Sequence, residues 1–149
     1  LYGERVGALT IVCESKDEAD RVLSQVKRTI RTNYSNPPTH GGTIVSMVLN
    51  NDELFALWEK ELAQMRERIR TMRAQLVAKL KEYGVKQNFD FVLSQRGMFS
   101  YSGLTKEQVE KLRNEHGIYA VNSGRICVAA LNSRNIDAVA KAIAAVLQN

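Results

Sequence analysis

Cysteine and histidine are scarce in this chain, two of each in 149 residues. Cys13 and Cys127 lie in separate apolar runs, and His40 and His116 each stand beside a glycine. A structural zinc centre gathers four ligands at short spacings, and these four residues form no such cluster, so a zinc site built within this chain is not expected. The cysteines read as buried free thiols of a reducing compartment, which points to a cytoplasmic protein and is compatible with a mitochondrial one. No apolar run approaches the ~20 residues that a membrane span requires. There is no glycine-rich phosphate loop, no paired nucleophile and base, no internal repeat and no low-complexity segment. The two prolines are adjacent, Pro37 and Pro38, so only one point in the chain is punctuated by proline. Acidic side chains are the minority, 16 against 21 lysines and arginines. The net charge of +5 suits an anionic partner, and acidic metabolites or phosphates fit it as well as nucleic acid does.

What is present is a long helical stretch, from Asn50 to Gly84. Trp58, Leu62, Met65, Ile69, Met72 and Leu76 recur in steps of four and three, which keeps them on one side of a helix. Asn50 is the expected N-cap, with Glu53 in a capping-box position, and Gly84 suits a left-handed C-cap. Arg66, Arg68, Arg70 and Arg73 suggest a basic nucleic-acid helix. Between Asp52 and Tyr83, however, seven basic residues face six acidic ones, so a solvated charged face explains them better. A coiled-coil zipper is the second alternative, and a shaft joining two domains the third.

Elements on both sides of this helix follow from pattern. Val6 to Cys13, with Ala8, Leu9, Ile11 and Val12, reads as a strand covered on both faces. Ser15-Lys16-Asp17-Glu18 is a capping box opening a helix whose apolar positions are Ala19, Val22, Leu23, Val26 and Ile30. That helix ends before Asn36-Pro37-Pro38. Thr43 to Leu49 predicts a short buried helix. Beyond Gly84, alternation predicts strands at Phe89 to Leu93, Gly97 to Tyr101, Ile118 to Val121 and Arg125 to Ala130. Helices are predicted from Thr105 to His116 and from about Asn135 to Leu147. Strands and helices thus alternate, giving an α/β chain.

Arg5 before Val6-Gly7, Arg31 ahead of Asn33-Tyr34-Ser35-Asn36, and Arg125 after Ser123-Gly124 stand in strand, loop or helix-end contexts rather than on the charged helical faces. The guanidinium fork offers two parallel hydrogen bonds to a carboxylate or phosphate. A surface salt bridge is the plain alternative for any one of them. From the residues alone, the reading stops at an α/β chain with oxyanion-binding arginines.

Four motifs carry it further: Leu1-Tyr2-Gly3-Glu4-Arg5-Val6-Gly7, Arg31-Thr32-Asn33-Tyr34-Ser35-Asn36-Pro37-Pro38, Gly97-Met98-Phe99-Ser100 with Gly103-Leu104-Thr105, and Ser123-Gly124-Arg125. Together they resemble the aspartate and aromatic aminotransferases, fold-type I enzymes dependent on pyridoxal phosphate, along essentially the whole chain. Gly3 departs from the asparagine usual there. The resemblance implies the C-terminal part of that fold: the end of a large α/β domain with the first half of the long helix (residues 1–64), then a small α+β domain (residues 65–149). It implies that Arg5 holds the cofactor phosphate and that Arg125 pairs with the substrate α-carboxylate. It implies that Arg31 grips the side-chain carboxylate of aspartate or glutamate in the active site of the other subunit of a homodimer. Phe99 is then beside the substrate, and Tyr34, Ser35 and Asn36 shape the intersubunit edge. The 2-oxo acid partner is of the 2-oxoglutarate type, and neither nucleic acid nor membrane is a partner. The family's cofactor-carrying lysine falls four residues before Leu1, so no catalytic residue is expected in this chain, and it is expected to be inactive alone. The alternative is a non-catalytic binding or dimerising module of the same ancestry.

Overall fold

The computed structural model describes residues 1–148 and divides into two compact units, Leu1–Glu59 and Lys60 onward. In the first, a single 3-10 turn (Tyr2–Glu4) leads through an extended segment to helix α1 (Lys16–Asn33) and helix α2 (His40–Leu49). Helix α3 (Asp52–Glu82) begins in this unit and continues into the second. Ser15 caps α1 as expected, its hydroxyl accepting from the Glu18 amide at 3.2 Å.

The strand expected at Val6 to Cys13 is absent. The segment is extended but pairs with no other strand, and Leu9 and Val12 are 76% and 92% exposed. Period and composition mark a strand correctly only where neighbouring strands complete the ladder, and none of the described residues does so. The segment lies along the apolar stripe of α1, with Leu9, Ile11 and Cys13 facing Ala19, Val22 and Val26. Cys13 and Cys127 are free but only partly buried, not fully as expected. The helix expected at Thr43 starts earlier, at His40, and is not buried: Gly41 is its one buried residue.

The cap of α3 is Asn51 rather than Asn50. Asn51 Oδ1 accepts from the Leu54 amide at 3.0 Å, whereas Asn50 closes α2 and donates to the Ser46 carbonyl. Gly84 takes the left-handed conformation expected at the other end, φ +76°. Only the later half of the predicted apolar stripe is buried. Trp58, Leu62 and Met65 are exposed, while Met72 and Leu76 enter the core with Val77 and Leu80.

The second unit is built on that core. It contains α4 (Phe91–Ser94), strand β1 (Phe99–Tyr101), α5 (Lys106–His116), strand β2 (Arg125–Cys127) and α6 (Ile136–Gln148). Val92, Leu104, Val109, Leu112, Val128, Ile143 and Val146 pack with the α3 residues. The sheet is a two-stranded antiparallel pair, with Phe99 opposite Cys127, Ser100 opposite Ile126 and Tyr101 opposite Arg125. Helix α5 keeps both predicted ends: a reciprocal Thr105/Gln108 capping box and a left-handed Gly117.

Three strand expectations give way here. Phe89 to Leu93 turns into α4: the buried pair is Phe89 and Val92, three apart, which is helical spacing, and the Asn88 side chain accepts from the Asp90 amide to start the turn. Ile118 to Val121 is a connection, fixed by the Ile118 amide on the Leu112 carbonyl and the Val121 amide on the Arg125 carbonyl. The strand expected over Arg125 to Ala130 stops at Cys127 and tightens into a 3-10 turn, Val128–Ala130. The solvated arginine face of α3 holds for Arg66, Arg68 and Arg70, which are exposed, but not for Arg73, which is 3% exposed. Arg68 also donates to the carbonyls of Ala129 and Leu131, each at 2.8 Å.

Candidate functional site

Arg5 ends the 3-10 turn in a left-handed conformation, φ 55°, its amide donating to the Tyr2 carbonyl at 3.3 Å. Its guanidinium lies over the Tyr2 ring, 5.0 Å from the centroid. Such a contact contributes about 0.5–1 kcal/mol at an exposed position and leaves the in-plane N–H groups available. The turn is braced from α2: His40 Nδ1 lies 3.0 Å from Glu4 Oε2. Gly41 lies so close that a Cβ there would be 2.3 Å from Val6 Cγ2 and 2.7 Å from Glu4 Cβ. Gly41 and the His40–Glu4 pair brace the turn that carries Arg5, which was not expected from the sequence. The signal available was the His-Gly-Gly run at a helix start.

Arg31 is exposed in the last turn of α1, and the chain reverses immediately after it. The amides of Tyr34 and Ser35 both donate to the Ile30 carbonyl, at 3.1 and 3.2 Å, and the Asn36 amide donates to the Tyr34 carbonyl at 2.7 Å. Ser35 is left-handed, φ 64°. Among the described residues, Arg5 and Ser35 are the two non-glycine residues with positive φ, and both are predicted site residues. A left-handed L-residue costs roughly 1–2 kcal/mol, and such strain persists where the surroundings over-determine the backbone.

Phe99 and Arg125 are brought together by the sheet. Tyr101 opposes Arg125, and the Arg125 guanidinium lies over the Phe99 ring at 4.8 Å from its centroid. Gly124 is left-handed, φ +83°, and lies against the Leu104 carbonyl, which only a residue without Cβ can approach so closely. Its own carbonyl accepts from the Ser102 amide at 2.9 Å and from Ser102 Oγ at 2.6 Å. None of the ion pairs among the described residues includes Arg5, Arg31 or Arg125.

Beneath this sheet lies Arg73, which sequence reading assigned to solvent. Its Nη1 donates to the Val92 carbonyl at 3.1 Å and to Ser100 Oγ, and its Nη2 to the carbonyls of Gly97 and Phe99 at 2.8 and 2.9 Å. Burial, with Arg96 nearby, lowers its pKa from the usual arginine range. Gln95 completes the network: Oε1 accepts from Ser100 Oγ at 2.5 Å and from the Tyr101 amide at 3.1 Å, and Nε2 donates to the Tyr101 carbonyl at 3.1 Å. The signal in the sequence was positional. Arg73 stands four residues after Ile69 and three before Leu76, on the apolar stripe itself.

The sequence profile of the aminotransferase class I and II family matches residues 1–143. An aspartate aminotransferase of Pseudomonas aeruginosa is 67% identical over 147 residues, which is 99% of this chain and 37% of that protein. An aromatic-amino-acid aminotransferase of Escherichia coli is 52% identical over the same span, again 99% and 37%. Among solved structures, an aromatic-amino-acid aminotransferase from Burkholderia pseudomallei, covalently bound to pyridoxal phosphate, superposes with a TM-score of 0.89 at 68% identity. That alignment covers 99% of this chain and 37% of the other. The chain therefore spans a little over a third of the length of the relatives it matches, and its fold is the corresponding share of theirs. On the family profile, the identities and the superposition together, this chain belongs to the class I and II aminotransferases.

Proposed function

We propose that this chain supplies the phosphate- and carboxylate-binding arginines of a pyridoxal-phosphate-dependent aminotransferase. The reaction moves an amino group between aspartate or an aromatic amino acid and a 2-oxo acid such as 2-oxoglutarate. The observation that carries the reading is the state of Arg5, Arg31 and Arg125. All three are exposed and free of any carboxylate among the described residues, and two lie over aromatic rings. Cations so placed are receptors for an anion that comes from outside the chain.

The residues present fit the phosphate end of the cofactor. Arg5 offers a permanently charged fork on a turn whose backbone is fixed by His40, Glu4 and Gly41. When bound, pyridoxal phosphate supplies an electron sink for the charge left as the substrate loses its α-proton. Arg125 orients the substrate by its α-carboxylate, over the Phe99 ring that packs beside it. Arg31 takes the side-chain carboxylate across the interface of a homodimer, and Ser35 and Asn36 shape that edge. Two arginines set apart select a dicarboxylate by length. The boundary between the large and small domains falls within α3, between residues 64 and 65. The free, partly buried thiols fit a reducing compartment, the cytoplasm in the first instance.

The test is a transamination panel on the full-length protein, with aspartate, tyrosine and phenylalanine as donors and 2-oxoglutarate as acceptor. The isolated 149-residue chain is assayed beside it. Activity of the full-length protein alone is the expected result. A cofactor absorbance that borohydride fixes onto the isolated chain would overturn the assignment of the cofactor-carrying lysine to the preceding segment.

A further inference from the structure

Resting on that functional reading, we infer that Arg73 is a positioning residue for substrate-carboxylate recognition, holding through Phe99 and Ser100 the strand that carries the Arg125 site. Met98 accepts from the Val128 amide and the Ser102 amide donates to the Gly124 carbonyl, so these flanking residues pair toward β2. In an antiparallel ladder the pairing alternates, so the backbone groups of Phe99 and Tyr101 face the opposite edge. No strand lies there among the described residues. Two acceptors and one donor on that edge are met by side chains instead: Arg73 donates to the Phe99 carbonyl, and Gln95 both donates to the Tyr101 carbonyl and accepts from its amide.

Arg73 and Gln95 thus stand in for a third strand. A three-residue strand paired on one side has little stability of its own. The surrogate edge is what fixes the height and tilt of β1. Arg125 depends on β1 twice, through its register with Tyr101 and through its guanidinium over Phe99. A buried guanidinium with only neutral acceptors is costly to hold, and an apolar side chain of similar volume often serves stability as well. What an apolar side chain cannot do is bind four acceptors in one plane. Lysine cannot either, because its ammonium is a point charge without the fork.

The experiment uses the full-length protein and the variants Arg73→Lys, Gln95→Leu and Lys79→Met. Lys79 bonds Asp137 on α6 and touches no part of β1, so it reports loss of stability without loss of positioning. The readouts are KM and kcat for aspartate and for phenylalanine, the dissociation constant of succinate, and the cofactor absorbance. Small misplacements of a binding group cost tenfold or more, so Arg73→Lys should raise KM for both amino acids by roughly tenfold. Succinate should weaken in parallel, with kcat at saturation within about twofold and the absorbance unchanged. Both donors share the α-carboxylate, so an equal rise for both points to Arg125 rather than Arg31. Gln95→Leu should act in the same direction and decides the matter if Arg73→Lys does not fold. A transaminating parent whose Arg73 and Gln95 variants keep KM within about twofold, or match Lys79→Met, overturns this inference alone. A parent that transaminates none of the donors fails the functional reading and this inference with it.

Discussion

Gly124, buried directly before Arg125, offers a sharp test of how the turn that carries Arg125 is built. Its replacement by alanine meets two penalties. The left-handed backbone, φ +83°, costs a residue with Cβ roughly 1–2 kcal/mol. The new Cβ falls 2.7 Å from the Leu104 carbonyl oxygen and 3.3 Å from its amide nitrogen, both backbone atoms that cannot swing away. Relief requires Leu104 to part from the turn, which weakens at least one of the two bonds from Ser102 to the Gly124 carbonyl. A hydrogen bond of this kind contributes about 0.5–1.5 kcal/mol. Against these stands the stiffer unfolded chain of the alanine variant, which favours folding by about 0.4–1 kcal/mol. The net destabilisation comes to roughly 2 kcal/mol. Asparagine tolerates the left-handed region better but carries the same Cβ, so Gly124→Asn should cost about 1 kcal/mol, from the contact alone. Urea unfolding of the full-length protein, followed by circular dichroism with midpoint and slope compared, measures both. An alanine variant within about 0.5 kcal/mol of the parent would refute the contact argument, and equal losses for alanine and asparagine would refute the strain term.

Arg31→Leu in the full-length protein should lower kcat/KM for aspartate by at least about tenfold, since a charge-assisted bond contributes roughly 1.5–3 kcal/mol, while phenylalanine changes little. Equal losses for the two donors would remove Arg31 from its assigned role. Lys79 first, then Tyr83, bond Asp137 Oδ1 at 2.5 and 2.8 Å and hold its carboxyl below the ordinary aspartate range. A depressed carboxyl contributes stability above its unfolded pKa and loses it as pH falls through the lower folded value, so Asp137→Asn should flatten the acid limb of a melting-temperature profile. Parallel acid limbs for parent and variant would count against the clamp. The same bond raises Lys79, whose contribution is lost only as pH climbs past the raised value, so the variant should also differ at the alkaline end. In the isolated chain, hydrogen exchange should be slow in α5, α6 and the later half of α3 and fast in α1 and α2, because among the described residues the first unit buries no apolar side chain. Uniform protection would contradict that burial pattern.

The helices were legible because their signals are local. Ser15 with Glu18, Thr105 with Gln108, Gly84 and Gly117 each specify an end by a bond or a backbone angle within a few residues. Of the five expected strands, two form within their predicted stretches, Phe99–Tyr101 and Arg125–Cys127, and three do not, because a strand is completed by what pairs with it. Val6 to Cys13 has strand composition and no partner, so it stays extended and exposed. Phe89 to Leu93 alternates in type, yet Phe89 and Val92 turn inward together. The apolar stripe of α3 was drawn correctly in phase, but burial depends on which residues have a core to meet, and only those from Ile69 onward do.

The candidate site divides in the same way. Arg5, Arg31 and Arg125 were visible because each lies in a short local motif with turn-forming residues close by in sequence. What braces them was not visible, because the bracing is non-local. Glu4 meets His40, Gly41 lies under Val6, and Arg73 reaches Phe99 across 26 residues of sequence. Arg73 shows the difficulty most clearly. Counted with Arg66, Arg68 and Arg70, it looked like part of a solvated face. Its position between Ile69 and Leu76 puts it on the buried one, and four acceptors turn a charge that burial disfavours into a fixed point under β1. A basic residue in phase with an apolar stripe is therefore better taken as an anchor for backbone carbonyls than as surface charge, wherever the helix goes on to enter a core.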